Sequence, residues 1–231
     1  MEWITIIPIR AGSKGVKNKN IYPICGKPLY QYTVDFAMEA GAKKIYISTN
    51  ITEILAKPHN KKIVIEKREE GLCSDHTKMS CVILNFLNGK EGRKIKNSEV
   101  IVLLQATSPV RQKIDLLTAL KQFESIDKID LMMAVTEAEN HVLKYGFVLN
   151  GHFKHVSEPH LCFENRQNLP KLFKPTGSFY IFKAGWFRAN KSLATKSTGA
   201  YEIPKNQSLD IDSLIDLKRF ESLVAKEGTK R

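Results

Sequence analysis

Short apolar runs rich in β-branched residues alternate with amphipathic segments of helix length from Trp3 to Val135, and no other feature constrains the fold as strongly. Trp3 to Ile9 reads as a strand, followed by a Gly-containing basic stretch and a helix from Leu29 to Ala40 that ends at Gly41. The same spacing predicts strands over Lys44 to Ser48, Ile63 to Glu66, Val100 to Leu104 and Asp130 to Val135, with helices over Thr77 to Leu87 and Ile114 to Phe123. Strands alternating with helices imply an α/β fold whose mostly parallel sheet is covered on both faces. Ligands of such sheets bind beyond the carboxyl ends of the strands, which here means the loops after Ile9 and Leu104.

After about residue 138 the pattern turns to strand-like stretches around Asn150-Gly151, a two-residue hairpin signal. Three segments follow from this: an α/β core over 1–137, a small antiparallel insertion over 138–195, and a return to the core over 196–231. Ser178 to Phe182 reads as a strand and Leu214 to Ala225 as a closing amphipathic helix. The hairpin carries Phe147, Leu149, Phe153 and Val156, which a two-stranded ribbon cannot bury alone. They need a partner surface, either the parent domain or a second copy of the chain.

The 231 residues are 42% hydrophobic, enough for a real core without staples. The opening MEWITIIPIR lacks a basic segment before a long apolar one, and no window reaches the roughly 18 apolar residues of a span, so the reading is cytoplasmic with no membrane partner. Cys25, Cys73, Cys81 and Cys162 show neither a C-x-x-C pair nor zinc spacing, so they read as reduced thiols. A net charge of +12 suits an anionic partner, whether nucleic acid, a nucleoside triphosphate or a sugar carboxylate. Against nucleic acid, no helix-turn-helix, zinc-finger or RNP-like segment is present, and no aromatics interleave with the basic loop.

That loop, Arg10 to Asn20, holds Arg10, Lys14, Lys17 and Lys19 with Gly12 and Gly15 and no acid. Glycines let backbone N–H groups approach phosphate oxygens while the cations offset their charge; the same composition also describes a solvated basic turn. The spacing is neither G-x-x-x-x-G-K-[ST] nor G-x-G-x-x-G. At the carboxyl end of the strand Val100 to Leu104, Gln105, Thr107 and Ser108 offer polar groups to a sugar, or else Thr107 or Ser108 caps a helix opened by Pro109. Lys144, Arg166 and Lys174 are candidates to receive a carboxylate. Asp210 and Asp212 stand at i and i+2, so an extended backbone puts both carboxylates on one face, where they suit Mg2+; the competing reading makes Asp212 the cap of the last helix.

Pro8-Ile9-Arg10-Ala11-Gly12-Ser13-Lys14-Gly15, with Lys19-Asn20 and Gly26-Lys27-Pro28-Leu29, resembles the opening of the cytidylyltransferases that activate sialic acid and related nonulosonic acids. The resemblance continues through Arg68 and Asp75, Leu103 to Arg111, Asn165 to Pro170, Phe173 to Ile181 and Ser208 to Asp212. It implies a Rossmann-like nucleotidyltransferase sheet, a homodimer formed through the insertion, and transfer of CMP from CTP to an acidic nine-carbon sugar with release of pyrophosphate. By the same resemblance Arg10, Gly12, Ser13, Lys14, Lys19, Asn20, Arg68, Asp75 and Gln105 bind the nucleotide. Gln105, Thr107, Lys144, Arg166, Lys174 and Tyr180 meet the sugar, Asp210 and Asp212 hold Mg2+, and Arg10 and Lys14 join the Asp pair in catalysis. The chain departs from the family pattern at Asn50 (usually Asp), Met79 (usually Ser), Lys174 (usually Arg) and Thr176 (usually Asn). Rival readings are a 3-deoxy-octulosonate cytidylyltransferase, whose first loop lacks the Lys19-Asn20 element, an inactive CTP-binding regulator, and a non-enzymatic nucleic-acid-binding protein.

Overall fold

A computed structural model describes residues 1–12, 15–57 and 60–228. The chain runs β1 (Trp3–Ile9), β2 (Pro23–Ile24), β3 (Lys27–Pro28), α1 (Leu29–Glu39), β4 (Lys44–Thr49), α2 (Thr52–Leu55), β5 (Ile63–Lys67), α3 (Met79–Asn88), β6 (Val100–Leu103) and α4 (Lys113–Ser125). It continues through β7 (Leu131–Ala138), β8 (Gly146–Leu149), β9 (His152–His155), β10 (Leu172–Lys183), α5 (Ala184–Asn190), β11 (Thr198–Glu202) and α6 (Leu214–Gly228). Seven strands form one sheet in the order β11-β7-β10-β6-β1-β4-β5. Every neighbouring pair is parallel except the two made by β10, which runs antiparallel between β6 and β7.

The strand period of two sorts β1 between the faces. Trp3, Ile7 and Ile9 pack with Val34 and Ala37 of α1 and Leu116 and Leu120 of α4. Ile4 and Ile6 pack on the other side with Ile83 and Phe86 of α3 and Phe187 of α5. Each such side chain withdrawn from water contributes about 1.5–3 kcal/mol, so a central strand buried on both faces reads as one continuous apolar run. A third cluster, made by Val16, Ile24, Leu29, Ile211, Leu217 and Phe220, pins α6 and the segment before it against the loop after β1. This third cluster brings the two Asp residues back to the start of the chain.

Residues 139–171 leave the sheet, and β8 and β9 pair only with each other there. Asn150 (φ 51°) and Gly151 (φ 76°) both take left-handed backbone, as a tight hairpin of this length requires. The parent domain does not cover the hairpin: Phe147 is 65% exposed, and Leu149, Phe153, Val156 and Phe163 are exposed as well. β10 then rejoins the sheet, with a register shift between Pro175 and Tyr180. Among the described residues no helix is long and apolar enough to cross a membrane.

Candidate active site

The loops after β1, β5 and β6 border a cleft of about 350 Å³ at the carboxyl edge of the sheet. Arg10 follows β1 directly, and its backbone is held from two sides. Asn20 Nδ2 donates to the Arg10 carbonyl at 2.9 Å, and the Ala11 N–H donates to Asn50 Oδ1 at 2.9 Å. Asn50 Nδ2 in turn donates to the Glu70 carboxylate at 3.4 Å, a bond an Asp could not make and would replace with repulsion. The Asn in place of the family's usual Asp is thus a loop anchor. Gly12 has φ +73°, the left-handed backbone that glycine accepts without cost. Ser13 and Lys14 lie outside the described residues.

Gly15 lies against the backbone of Asp212, so closely that a Cβ would collide with the Asp212 carbonyl. Since that obstacle is main chain, it cannot swing away, and Gly15→Ala is expected to destabilise the fold by about 1–3 kcal/mol. Urea unfolding checks this; an unchanged midpoint would refute the close approach.

Among the described residues three cations face this cleft. Arg68 is only 3% exposed, donating through Nη2 to the Ser48 carbonyl at 2.8 Å and through Nε to Ser48 Oγ at 3.3 Å. Burial lowers its pKa to about 10, and the described residues give it no ion pair. A buried cation without a carboxylate is costly in the empty protein and favours an incoming anion. Arg10 forms an ion pair with Asp75 across the cleft and donates to the Gly12 carbonyl at 3.0 Å. Lys19 is buried, with Nζ donating to the Ile211 carbonyl and to Asp212 Oδ1 at 3.0 Å. Met79 lines the cleft too; the neighbouring Ser80 turns away, its Oγ accepting from the Leu193 N–H at 3.2 Å.

Asp212 does not cap the last helix. Ser213 takes that position in a reciprocal box with Asp216: Ser213 Oγ and the Ser213 N–H both donate to Asp216 Oδ2, at 2.6 and 2.8 Å, and the Asp216 N–H donates back to Ser213 Oγ at 3.3 Å. These bonds, led by the Ser213 hydroxyl, hold the Asp216 pKa below its usual value. Asp210 and Asp212 are exposed while Ile211 between them is fully buried, its N–H donating to the Thr107 carbonyl at 2.8 Å. Two exposed carboxylates flanking a buried residue are the donor chemistry that magnesium takes, usually one or two protein carboxylates completed by water and phosphate oxygens. Among the described residues no group of three His, Cys, Asp or Glu could hold an ion unaided. A cation here would therefore depend on oxygens brought by a ligand.

Gln105 and Thr107 line the same cleft, beside the Asp pair. Neither Thr107 nor Ser108 caps α4, because that helix begins only at Lys113. Ser108 Oγ instead lies 3.4 Å from Asp210 Oδ1. Tyr180 lies past the register shift of β10, its pKa raised by burial and then by Asp210. Thr176 is turned inward, with Oγ1 donating to the Ala134 carbonyl at 3.2 Å. The other sugar-side candidates do not join Gln105 within one chain. Lys144 Nζ donates to the Glu164 carbonyl inside the insertion, Lys174 is exposed on β10, and Arg166 borders a separate cavity of about 840 Å³ with Thr136, Lys171 and Glu202.

Arg111, which closes the Leu103 to Arg111 motif and has no role legible in the sequence, is a buried cation that donates to the Gln105 carbonyl. The one signal available was its charge inside an otherwise apolar and polar-neutral stretch, Leu103 to Val110.

The cytidylyltransferase family matches residues 4–211. An N-acylneuraminate cytidylyltransferase of Streptococcus agalactiae is 30% identical over 227 residues, covering 94% of this chain and 52% of that protein, so the chain spans about half the length of this relative. A CMP-N,N'-diacetyllegionaminic acid synthase of Campylobacter jejuni is 32% identical over 227 residues, covering 97% of this chain and 95% of that one. A solved structure of CMP:2-keto-3-deoxy-manno-octonic acid synthetase complexed with CTP superimposes with a TM-score of 0.68 over 98% of this chain and 100% of that chain, at 15% identity, a likeness of fold alone. A family match that runs from the first strand to Ile211, joined to a relative similar along nearly its whole length, places this chain in the cytidylyltransferase family.

Proposed function

We propose that the chain transfers CMP from CTP to the anomeric hydroxyl of a nonulosonic acid and releases pyrophosphate. The observation that carries this reading is the convergence of Arg10 and Lys19, Arg68, Gln105 and Asp212, from four separate segments, on one cleft. The relatives' names add the acidic sugar: one is called an N-acylneuraminate cytidylyltransferase, the other a CMP-N,N'-diacetyllegionaminic acid synthase.

The sugar hydroxyl gives up its proton to solvent as its oxygen attacks the α-phosphorus; a new P–O bond forms, the bond from the α-phosphorus to the oxygen bridging it to the β-phosphate breaks, and pyrophosphate departs with the bonding pair. Arg10 and Arg68, with Lys14 in the same loop, meet the triphosphate and the charge that grows on the leaving group. Arg10 must leave Asp75 to do so, and the incoming phosphate provides a stronger anionic partner. Gln105 and Thr107 orient the acceptor sugar from the end of a rigid strand. Asp210 and Asp212 are the ligands for a magnesium ion, which when bound supplies Lewis acidity toward the phosphate and lowers the pKa of a nearby hydroxyl. Lys19, by its bond to Asp212, sets the position of that carboxylate relative to the basic loop.

The reading includes a homodimer, supported by the uncovered apolar side chains of the hairpin and by the distance of Lys144 and Arg166 from their own chain's cleft. Incubation with CTP, Mg2+ and a panel of nonulosonic acids should release pyrophosphate with at least one acceptor, and ATP or GTP should support turnover at least about 100-fold less well. Release with ATP equal to that with CTP would overturn the specificity. No release with any acceptor would overturn the activity.

A further inference from the structure

Arg111 sits where a charge is expensive. It is 9% exposed, burial lowers its pKa to about 9, and among the described residues no carboxylate forms an ion pair with it; Asp210 favours its charged form from farther away. Each of its three nitrogens nevertheless donates. Nε donates to the Ser178 carbonyl at 2.7 Å, Nη1 to Thr33 Oγ1 at 3.0 Å, and Nη2 to the Gln105 carbonyl at 2.5 Å and the Gly177 carbonyl at 3.4 Å. The Phe36 ring lies 5.7 Å from its Cζ. An apolar side chain of similar volume would avoid the desolvation cost, but it would leave these acceptors unmatched.

The carbonyl acceptors belong to two adjoining segments, and the hydroxyl to α1. Gln105 follows β6, while Gly177 and Ser178 lie where β10 shifts register against β7. The gap between the two segments is narrow. The Gln105 N–H donates to the Gly177 carbonyl at 3.3 Å, and a Cβ at Gly177 would strike both the Gln105 side-chain amide and Ser108 Oγ. Whatever sets the distance from Gln105 to Gly177 also sets where the Gln105 amide points. A planar guanidinium can bridge carbonyls of two segments and a hydroxyl of a third at once, whereas an ammonium is a point donor on a flexible stem.

We propose that Arg111 is a positioning residue for the transfer reaction: touching neither substrate, it clamps the end of β6 to the register shift of β10 and so aims the Gln105 amide into the cleft. The inference rests on the cytidylyl-transfer reading for its kinetic consequence but not for its structural one.

The test is Arg111→Lys, which keeps the charge and loses the fork. Pyrophosphate release per CTP-binding site should fall about 100-fold, the scale of an ångström-sized misplacement, while the KM for CTP stays within about threefold because Arg10, Lys19 and Arg68 are untouched. Thr33→Val removes only the hydroxyl that holds Nη1 and should produce the same pattern at about three- to tenfold. Hydrogen exchange gives a readout independent of activity: amides of 105–108 and 177–178 should exchange faster together in both variants. A kcat per site equal to wild type in Arg111→Lys, or exchange unchanged at either segment, would overturn the proposal. Wild-type protein that binds CTP but releases no pyrophosphate would count against the proposed function, and the exchange result would then decide the clamp by itself.

Discussion

Asp212→Asn is expected to lower turnover at least about 100-fold while leaving the protein folded, because it removes a proposed magnesium ligand and very little structure. The Asp212 side chain is 78% exposed, and helix capping belongs to Ser213 and Asp216. Its structural bond, from Lys19 Nζ at 3.0 Å, can be accepted by an Asn Oδ1, so the stability loss should be no more than about 1 kcal/mol. Asp210→Asn should behave differently. Asp210 is the nearby charge that favours the buried Arg111 cation, so its loss should lower stability as well as turnover. Urea midpoints and pyrophosphate release, measured on both variants, separate the two roles. Full wild-type turnover in excess chelator would remove the metal from the mechanism, and wild-type turnover in Asp212→Asn would remove this carboxylate from it.

The residues that were readable from sequence are those whose role is local. The β-branched strands of the core and the amphipathic helices announce themselves by period, and Asn150-Gly151 by its turn chemistry; all appear within a few residues of the expected bounds. β11 carries little period-two apolar signal in Thr-Gly-Ala-Tyr-Glu and sits at the sheet edge, so its strand character comes from pairing with β7, a partner distant in sequence. α2 and α5 are too short for a helical period to register. β10 is longer than Ser178 to Phe182 because it crosses a register shift at Pro175, where proline ordinarily argues against a strand. In the site, Arg10, Lys19 and Asp212 were legible as a charged pattern, but their pairing was not. Lys19 meets Asp212, and Arg10 meets Asp75, through contacts spanning most or much of the chain. Arg111 shows the same limit: only the folded chain reveals that its guanidinium faces carbonyls from two strands' ends.

Co-expression of an Asp212→Asn protein with an Arg166→Ala protein is expected to recover about a quarter of wild-type activity, although each alone is nearly inactive. Within one chain Arg166 borders its own cavity rather than the Gln105 cleft, and Lys144 is engaged with the Glu164 carbonyl. If these cations serve the acceptor sugar, they do so in a neighbouring subunit. The hairpin supplies the means of association: Phe147, Val148 and Phe153 project from a two-stranded ribbon that would be marginal in water and that the parent domain leaves uncovered. A second copy related by a two-fold axis would cover each hairpin with the same surface of its partner. Random pairing makes about half of the dimers hybrid, and each hybrid holds one site with both defects and one with neither, which yields the recovery of about a quarter. Phe147→Lys, which places a charge in the same apolar surface, should yield monomers and abolish the recovery without touching either cleft. A hybrid preparation no more active than its parents would show that Arg166 serves its own chain or none, and a fully active monomer at micromolar concentration in light scattering would remove the dimer itself.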